Sequence, residues 1–300
     1  GLVKLDNIYE FQTARIDTDE KVQDKIDLIN KKLKNKYPIS AKKIPVVPEH
    51  VYVSNLIGEI HGTRGIPVGI NKDTISTELF NFKDNYATLL STNDLDNVPT
   101  FVKPLIDILS HVNNQNIIVI DTDEVINDAY RENVKYTNTN ITDEIKNIIG
   151  DINSKNDIYV KDGFSDKNIK NYKETTTILY NFSKILLKMS PDDKKEFLSA
   201  LEKGKSLGIF NFIIVDNVDN LKKMEYDGWY KSVVQSNYGI WVGNGIADQT
   251  LIKTNIGFKK INNEIPVGYG IIVKNSKTSL VNLVEKDVNK SSLSQKEEVL

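Results

Sequence analysis

The most constraining feature of this sequence is a set of short apolar runs separated by segments of helical periodicity. Four such runs occupy residues 86–90, 117–120, 212–215 and 240–242. Runs with almost no polar side chains are typical of strands that are buried on both faces, and such strands form parallel sheets between two layers of helices. The sequence therefore predicts an α/β fold with a central, mainly parallel sheet.

The composition excludes several classes of function. With 39 basic and 41 acidic residues the chain has a net charge of -2, which argues against the electropositive surface that binds nucleic acid. Cysteine is absent, so disulfides and thiolate metal ligands are excluded. His50, His61 and His111 lie far apart, without the spacing of a zinc site. We therefore expect no metal centre and no nucleic-acid partner.

A glycine-rich segment, residues 58–65, invites comparison with a phosphate-binding loop. Such a loop needs a helix directly behind it, because the helix N-terminus supplies N–H groups to the phosphate. Residues 66–70 have the composition of a strand instead. We predict an ordinary loop followed by a strand.

The chain divides by composition into four parts. Residues 1–16 have a strand-and-turn pattern, and residues 17–50 contain an amphipathic helix and a proline-rich linker. Residues 51–285 form the predicted main domain, and residues 286–300 a polar, flexible tail. The helix carries Val22, Ile26, Ile29 and Leu33 on one face, with Asp17 or Thr18 as its N-cap.

Within the main domain, residues 125–205 are rich in Asn and Lys and contain two helical patterns. The pattern at 141–149 is interpreted as a mobile or inserted segment. The pattern at 191–207 is interpreted as a helix that covers the sheet.

Five segments together resemble the ATPase domains of the FtsK/SpoIIIE type, and most specifically the C-terminal domain of the EssC-type coupling ATPases of type VIIb secretion in Firmicutes. The resemblance rests on the order and spacing of loose motifs and covers most of the chain apart from residues 125–175. The motifs are 1–12, beginning Gly-Leu-Val-Lys, the linker Ile-Pro-Val-Val-Pro-Glu at 44–49, the run 204–214, the strand and turn 238–249, and Pro-Val-Gly-Tyr-Gly at 266–270.

This resemblance implies a RecA-like three-layer α/β sandwich, in which residues 1–16 are the closing strands of a preceding ATPase domain. It implies a parent protein anchored at the cytoplasmic face of the cell membrane, with upstream domains of the same chain that use ATP and Mg²⁺ and that can assemble as a hexamer. The implied partners of a terminal domain are secreted WXG-type or related helical-hairpin substrates and their adaptors.

The chain departs from the family at the phosphate-binding loop. After the strand at 86–90, an active member has the pattern GxxxxGK[ST], whose glycines and lysine surround the phosphates. This chain has Ser91, Thr92, Asn93, Asp94 and Asp96 there, with no glycine or lysine in the segment. Carboxylates at this position repel a triphosphate. We therefore predict a pseudo-ATPase domain with degenerate nucleotide motifs, no bound cofactor and no catalytic residues.

The acidic strand that would hold magnesium has two candidate positions. The run ending in Asp216 and Asp219 has the required pattern of apolar residues followed by acids. The alignment with the family places that run one strand too late and puts the acidic position at 177–182, which carries no carboxylate. We interpret Asp216 as a strand-end acid, and Asp121 and Asp123 likewise. The alternative is an active ATPase that uses Asp216 and Asp219, and a third alternative is a purely structural role in the motor.

Aromatic and branched residues follow helical spacing near position 230. Tyr226, Trp229, Tyr230 and Val233 share one helical face, which favours core packing but also fits a peptide-binding groove. Because Trp and Tyr are enriched at binding hot spots, we take as candidate substrate contacts Trp229, Tyr230, Val233 and Trp241.

Overall fold

The computed structural model describes residues 2–4, 8–10, 22–37, 45–60, 65–255 and 264–287. The chain divides into two compact units, residues 1–45 and 46–300. Most of the predicted tail, residues 288–300, lies outside the described residues. The proposed N-caps Asp17 and Thr18 lie outside them as well.

The first unit contains a hairpin and one helix. Strands β1 (Leu2–Lys4) and β2 (Ile8–Glu10) pair antiparallel. Helix α1 spans Val22–Lys36, as the apolar spacing predicts. Its face with Ile26, Ile29 and Leu33 is between 38% and 49% exposed.

The second unit is built on a ten-stranded sheet with the order β4-β3-β12-β11-β10-β5-β9-β8-β6-β7. Six neighbouring strands, from β10 to β7 in that order, are parallel. The other four, β11, β12, β3 and β4, extend the sheet antiparallel. The strands are β3 (Ile66–Asn71), β4 (Thr77–Phe80), β5 (Ala87–Thr92), β6 (Gln115–Asp121), β7 (Val134–Thr137), β8 (Glu174–Tyr180), β9 (Phe210–Asn217), β10 (Val234–Val242), β11 (Tyr269–Lys274) and β12 (Lys277–Leu283).

Helices cover both faces of this sheet, which confirms the three-layer architecture. Alternate residues of a strand point to opposite faces. In β9, Phe212 and Ile214 therefore join one core, whereas Ile213 and Val215 join the other. The helices are α2 (Val53–Leu56), α3 (Pro99–Ser110), α4 (Ile141–Lys161), α5 (Phe182–Leu187), α6 (Pro191–Gly204), α7 (Val218–Lys222) and α8 (Gly228–Val233).

Helix α4 corrects the interpretation of residues 141–149 as a mobile or inserted segment. The helix has 21 residues and packs against α6. It buries Ile141, Ile145, Ile148 and Ile152 in the core. These residues recur every three or four positions, which forms one apolar stripe on a helix whose other face is polar. The Asn- and Lys-rich composition belongs to that solvent-facing side.

The second helical pattern is confirmed as a sheet-covering helix. In α6, the Ser190 hydroxyl accepts a hydrogen bond from the Asp193 N–H at 3.2 Å, and Pro191 occupies the first turn. Both are favourable features of a helix start. Phe197 and Leu201 of this helix are buried in the core.

Candidate functional site

The carboxyl ends of the parallel strands meet at one edge of the sheet, where open α/β folds bind their ligands. Strand β5 is flanked by β10 and β9. Loops follow β5 and β10 from Asn93 and Gly243, and helix α7 follows β9 directly from Val218. A phosphate-binding loop would therefore occupy the connection between β5 and α3.

That connection is a tight turn with hydrogen bonds between its own residues. The Asp94 carboxylate accepts from the Asp96 N–H at 3.0 Å, and the Thr92 hydroxyl oxygen accepts from the Asp94 N–H at 3.0 Å. The Val98 N–H donates to the Leu95 carbonyl at 3.1 Å. Three of the N–H groups at the position of a phosphate cradle are thus used within the turn.

The five positions that the sequence predicts to be a degenerate phosphate loop divide into two groups by burial. Ser91 and Thr92 are buried in β5, and the Ser91 hydroxyl donates to the Asp216 carbonyl at 3.2 Å. Asn93, Asp94 and Asp96 are exposed. The exposed part of the turn therefore presents two carboxylates and one amide.

Side-chain amides tie the turn to the neighbouring loops. The Asn217 amide donates to the Asn93 carbonyl at 2.6 Å, and the Asn93 amide donates to the Asn244 carbonyl at 3.4 Å. Gly245 has φ +90°, and a Cβ there would overlap the Asn93 side-chain nitrogen. We call these four residues, Asn93, Asn217, Asn244 and Gly245, the asparagine clamp.

Asp216 is fully buried at the end of β9, and its carboxylate is surrounded by donors of the chain itself. It accepts from the N–H groups of Ser183 and Asn217 at 2.6 and 2.7 Å, and from the Asn220 amide at 3.0 Å. These bonds join the starts of α5 and α7 to the sheet, which is the role of a strand-end acid. Asp219 is 80% exposed at the start of α7.

Strand β8 occupies the position that the family alignment gives to the acidic strand. It lies on the far side of β9 from β5, and it ends at Tyr180, followed by Asn181 and Phe182. No carboxylate follows this strand directly. The Asn181 amide instead donates to the Asp123 carboxylate at 2.9 Å.

Asp121 and Asp123 both serve local structure after β6. Asp121 is buried and accepts from the Ile126 N–H at 2.8 Å and the Tyr136 hydroxyl at 3.0 Å. Asp123 forms an ion pair with Lys184. Burial raises the pKa of Asp123, but hydrogen bonds from Lys184 and Asn181 outweigh it and hold that pKa below the ordinary aspartate value.

A cavity of about 660 Å³ lies beside the turn after β5. One side is formed by that turn and the start of α3, and the other by the segment that leads into β11 and the residues that follow β12. Its apolar lining comprises Phe101, Val242, Ile265, Val267, Leu283 and Val284. Within the described ranges, no group of three or more His, Asp or Glu side chains is placed to hold a metal ion there or elsewhere.

The four candidate substrate contacts are all buried in the same core. Trp229 and Tyr230 are 7% and 6% exposed, Val233 1% and Trp241 0%. Trp229 packs edge-on against Phe182, with 5.7 Å between ring centroids. In this structure the four side chains pack the core, so a peptide cannot reach Val233 or Trp241 without rearrangement. Their role as substrate contacts stays a prediction.

Trp229 differs from the other three because it borders an open groove. The groove has a volume of about 470 Å³ and lies between α6 and the start of α8. Leu198 lines it together with Lys194, Lys195 and Glu202. Tyr226, which precedes α8, is 78% exposed.

The sequence did not reveal two features of this edge. Asn217 and Asn244 were not recognised as partners of Asn93, although both lie just after apolar strands, where polar side chains of neighbouring loops come together. Glu285 lines the cavity from beyond β12, and nothing in its local sequence places it near Asp94.

No sequence-family profile and no curated protein sequence matches this chain. Solved structures do. ATPases 2 and 3 of EssC from Geobacillus thermodenitrificans superpose with a TM-score of 0.72 at 16% identity, over 90% of this chain and 52% of that one. ATPases 2 and 3 of Thermomonospora curvata EccC, in complex with a signal sequence peptide, superpose with a TM-score of 0.61 at 17% identity, over 91% of this chain and 51% of that one.

A third structure extends the comparison beyond these two. The pCW3 conjugation coupling protein TcpA, in a monomer form with ATPγS, gives a TM-score of 0.58 at 10% identity, over 91% of this chain and 86% of that one. The chain thus has the RecA-like, FtsK/SpoIIIE-type fold of the EssC and EccC ATPase domains, and it spans about half the length of the EssC and EccC chains. None of the helices described above is long and apolar enough to cross a membrane.

Proposed function

We propose that this chain is a module of a membrane-anchored type VII secretion motor that recognises export substrates and does not itself hydrolyse ATP. The observation that carries the proposal is the turn after β5, where Asp94 and Asp96 stand in place of the glycines and lysine of a phosphate loop. A triphosphate there would meet two carboxylates and N–H groups that are already bonded.

The fold supports the assignment to a secretion motor. EssC and EccC domains share it over about 90% of this chain. We further propose upstream ATPase domains in the same chain, which use ATP and Mg²⁺, and a motor that assembles as a hexamer at the cytoplasmic face of the membrane. A fold can retain its scaffold while its site changes, so loss of the phosphate site is compatible with a new binding role.

Substrate recognition is supported by the EccC structure, which was solved with a signal sequence peptide. The proposed ligands are secreted WXG-type helical hairpins or their adaptors. The groove between α6 and α8 is open to an extended or helical segment, and it offers Leu198 and the edge of Trp229 beside Lys194 and Lys195. Glu202 and Asp227 also line the groove, so its charges are balanced. An apolar strip with two lysines and two acids suits an amphipathic segment that carries charges of both signs.

An active ATPase is the rival function, with Asp216 and Asp219 at magnesium. Its weakness in this structure is that three donors already occupy the Asp216 carboxylate. A metal would have to displace bonds that hold α5 and α7 to the sheet.

The experiment is a binding titration of labelled C-terminal peptides from WXG-type proteins encoded in the same genome. We expect saturable binding to the wild-type chain, and weaker binding to the groove variants Leu198→Ser and Lys195→Ala. Val160→Ser is the matched control, because Val160 is 47% exposed on α4, away from the groove lining. Absence of binding by every peptide to the folded chain would refute the recognition role.

A further inference from the structure

The cavity beside the turn after β5 has the size and lining of a ligand site. Its volume of about 660 Å³ lies within the range of small-molecule and side-chain pockets. Buried side chains form its apolar wall, and Val267 at its mouth is 98% exposed. A surface of this kind gains free energy when an apolar group covers it.

The charges around this cavity are mostly negative. Asp94 and Glu285 are the carboxylates of the lining, and Lys286 is its cation. The Lys286 ammonium is bonded to both oxygens of Asp128 at 2.7 Å, so its charge is already matched.

The two lining carboxylates contact no lysine or arginine in the described part of the chain. The oxygens of Asp94 accept from the Asp96 N–H and the Asn97 amide at 3.0 and 3.1 Å, and both donors are neutral. Glu285 contacts the His50 ring at 3.1 Å. Asp94 therefore has only neutral contacts, and the only ionisable contact of Glu285 among the described residues is the His50 ring.

We propose that this cavity binds a basic amphipathic segment of a partner protein. An apolar side chain of the segment enters the cavity against Val242, Leu283 and Val284, and a neighbouring lysine or arginine contacts Asp94 and Glu285. The apolar wall supplies affinity, and the carboxylates select the sign of the ligand's charge. This site goes beyond the proposed substrate groove, since the two share no lining residue: the groove has two lysines and two acids, whereas the cavity has two acids and one lysine that is paired with Asp128.

The test uses two blocked hexapeptides, one of alternating leucine and lysine and one of alternating leucine and glutamate. Methyl signals of Val242, Leu283 and Val284 report occupancy in NMR spectra of the whole chain. We expect the lysine peptide to shift these signals, and to bind at least about tenfold more tightly than the glutamate peptide at low salt. The preference shrinks as salt is raised, because the rim charges are exposed.

Substitutions separate the two contributions. Asp94→Asn and Glu285→Gln keep side-chain size and remove the charge, although the amide introduced by Asp94→Asn can accept only one of the two hydrogen bonds of Asp94. Each substitution weakens the lysine peptide about threefold without weakening the glutamate peptide. Glu196 is an exposed carboxylate on α6, and the control Glu196→Gln changes the affinity of neither peptide. Val267→Ser weakens both peptides equally, whereas Val46→Ser, at a side chain 76% exposed outside the cavity lining, does not.

Equal affinity for the two peptides, or binding that leaves the three methyl signals unmoved, overturns the proposal. Binding of the lysine peptide only by a chain ending at Asp287 also overturns it, because the occupant would then be the chain's own residues 288–300. The groove is tested with other peptides and other variants, so either site can fail without the other.

Discussion

The side-chain amide of Asn217 donates a hydrogen bond to the backbone carbonyl of Asn93 over 2.6 Å. This bond joins the end of β9 to the turn after β5, which we propose has lost the phosphate loop. The Asn217 side chain also accepts from the Asp219 N–H at 2.8 Å, so the same residue starts helix α7. The edge of the sheet where a nucleotide would bind is held together by the protein's own polar groups.

The donor function of Asn217 can be tested without loss of its cap. Asn217→Asp keeps an oxygen for the Asp219 N–H but places a second oxygen against the Asn93 carbonyl. We expect a loss of about 1–2 kcal/mol in the free energy of unfolding, because a hydrogen bond becomes a repulsive contact. Urea denaturation measures the loss. An unchanged transition midpoint would show that the bond to Asn93 contributes nothing.

Gly245 has a conformation and a neighbour that exclude a side chain. Its φ is +90°, and an added Cβ would overlap the Asn93 amide. We expect Gly245→Ala to destabilise the chain by about 1–3 kcal/mol through backbone strain, with the clash in addition. Gly58→Ala is the matched control, since a Cβ there meets nothing within 4 Å. Thermal unfolding of both variants measures the difference. Equal stabilities would show that the backbone conformation and the Asn93 contact do not exclude a side chain at position 245.

Tyr86 and Gly204 form a coupled pair in the core. A Cβ on Gly204 would lie 2.5 Å from the Tyr86 hydroxyl, which is buried and has no hydrogen-bond partner among the residues that the structure describes. Burial raises the pKa of Tyr86, so the hydroxyl stays neutral. Tyr86→Phe removes an unsatisfied polar atom, and we expect it to be neutral or to stabilise the fold by up to about 1 kcal/mol.

Gly204→Ala alone should destabilise the chain by about 1–3 kcal/mol, because the buried Tyr86 side chain must shift to admit the added methyl group. In the Tyr86→Phe background the same substitution should cost much less. A double-mutant cycle by chemical denaturation measures this coupling. Additive effects of the two substitutions would show that the hydroxyl is not the obstacle.

The ion pair between Asp123 and Lys184 makes stability depend on pH. Hydrogen bonds from Lys184 and Asn181 hold the folded-state pKa of Asp123 below the unfolded value, against the effect of burial. The pair therefore stabilises the fold above the unfolded pKa of aspartate, and this contribution is lost as the pH falls through the lower folded pKa.

Asp123→Asn should consequently be less stable than the wild type at neutral pH, with a difference that shrinks below about pH 4. Urea denaturation across the acid range measures the difference, and Asp157→Asn at an exposed position of α4 is the control. A difference that is constant with pH would contradict the ion pair.

The parts of the fold that the sequence predicts are those set by local pattern. Strands β5, β6 and β9 follow from apolar runs, because a strand buried on both faces has almost no polar positions. The proposal that the phosphate loop is lost also rests on local composition, since no glycine or lysine lies between Ser91 and Val98. Both features depend on residues that are close in sequence.

The parts that the sequence does not predict depend on strand order and packing. Asn93 meets partners 124 and 151 residues away, and only the placement of β5 between β9 and β10 brings them together. The sequence does not predict that helix α4 packs against the core, because its polar face dominates its composition. Helical spacing alone also could not separate a buried Trp229 from a binding surface, since both uses need one apolar face.

We propose that the turn after β5 cannot hold a triphosphate. Isothermal titration of the folded chain with Mg-ATP tests this most directly, with the Asp94→Asn variant measured in parallel to remove one carboxylate. We expect no binding heat for the wild type at nucleotide concentrations that saturate an active ATPase domain. Saturable binding in the micromolar range would contradict it.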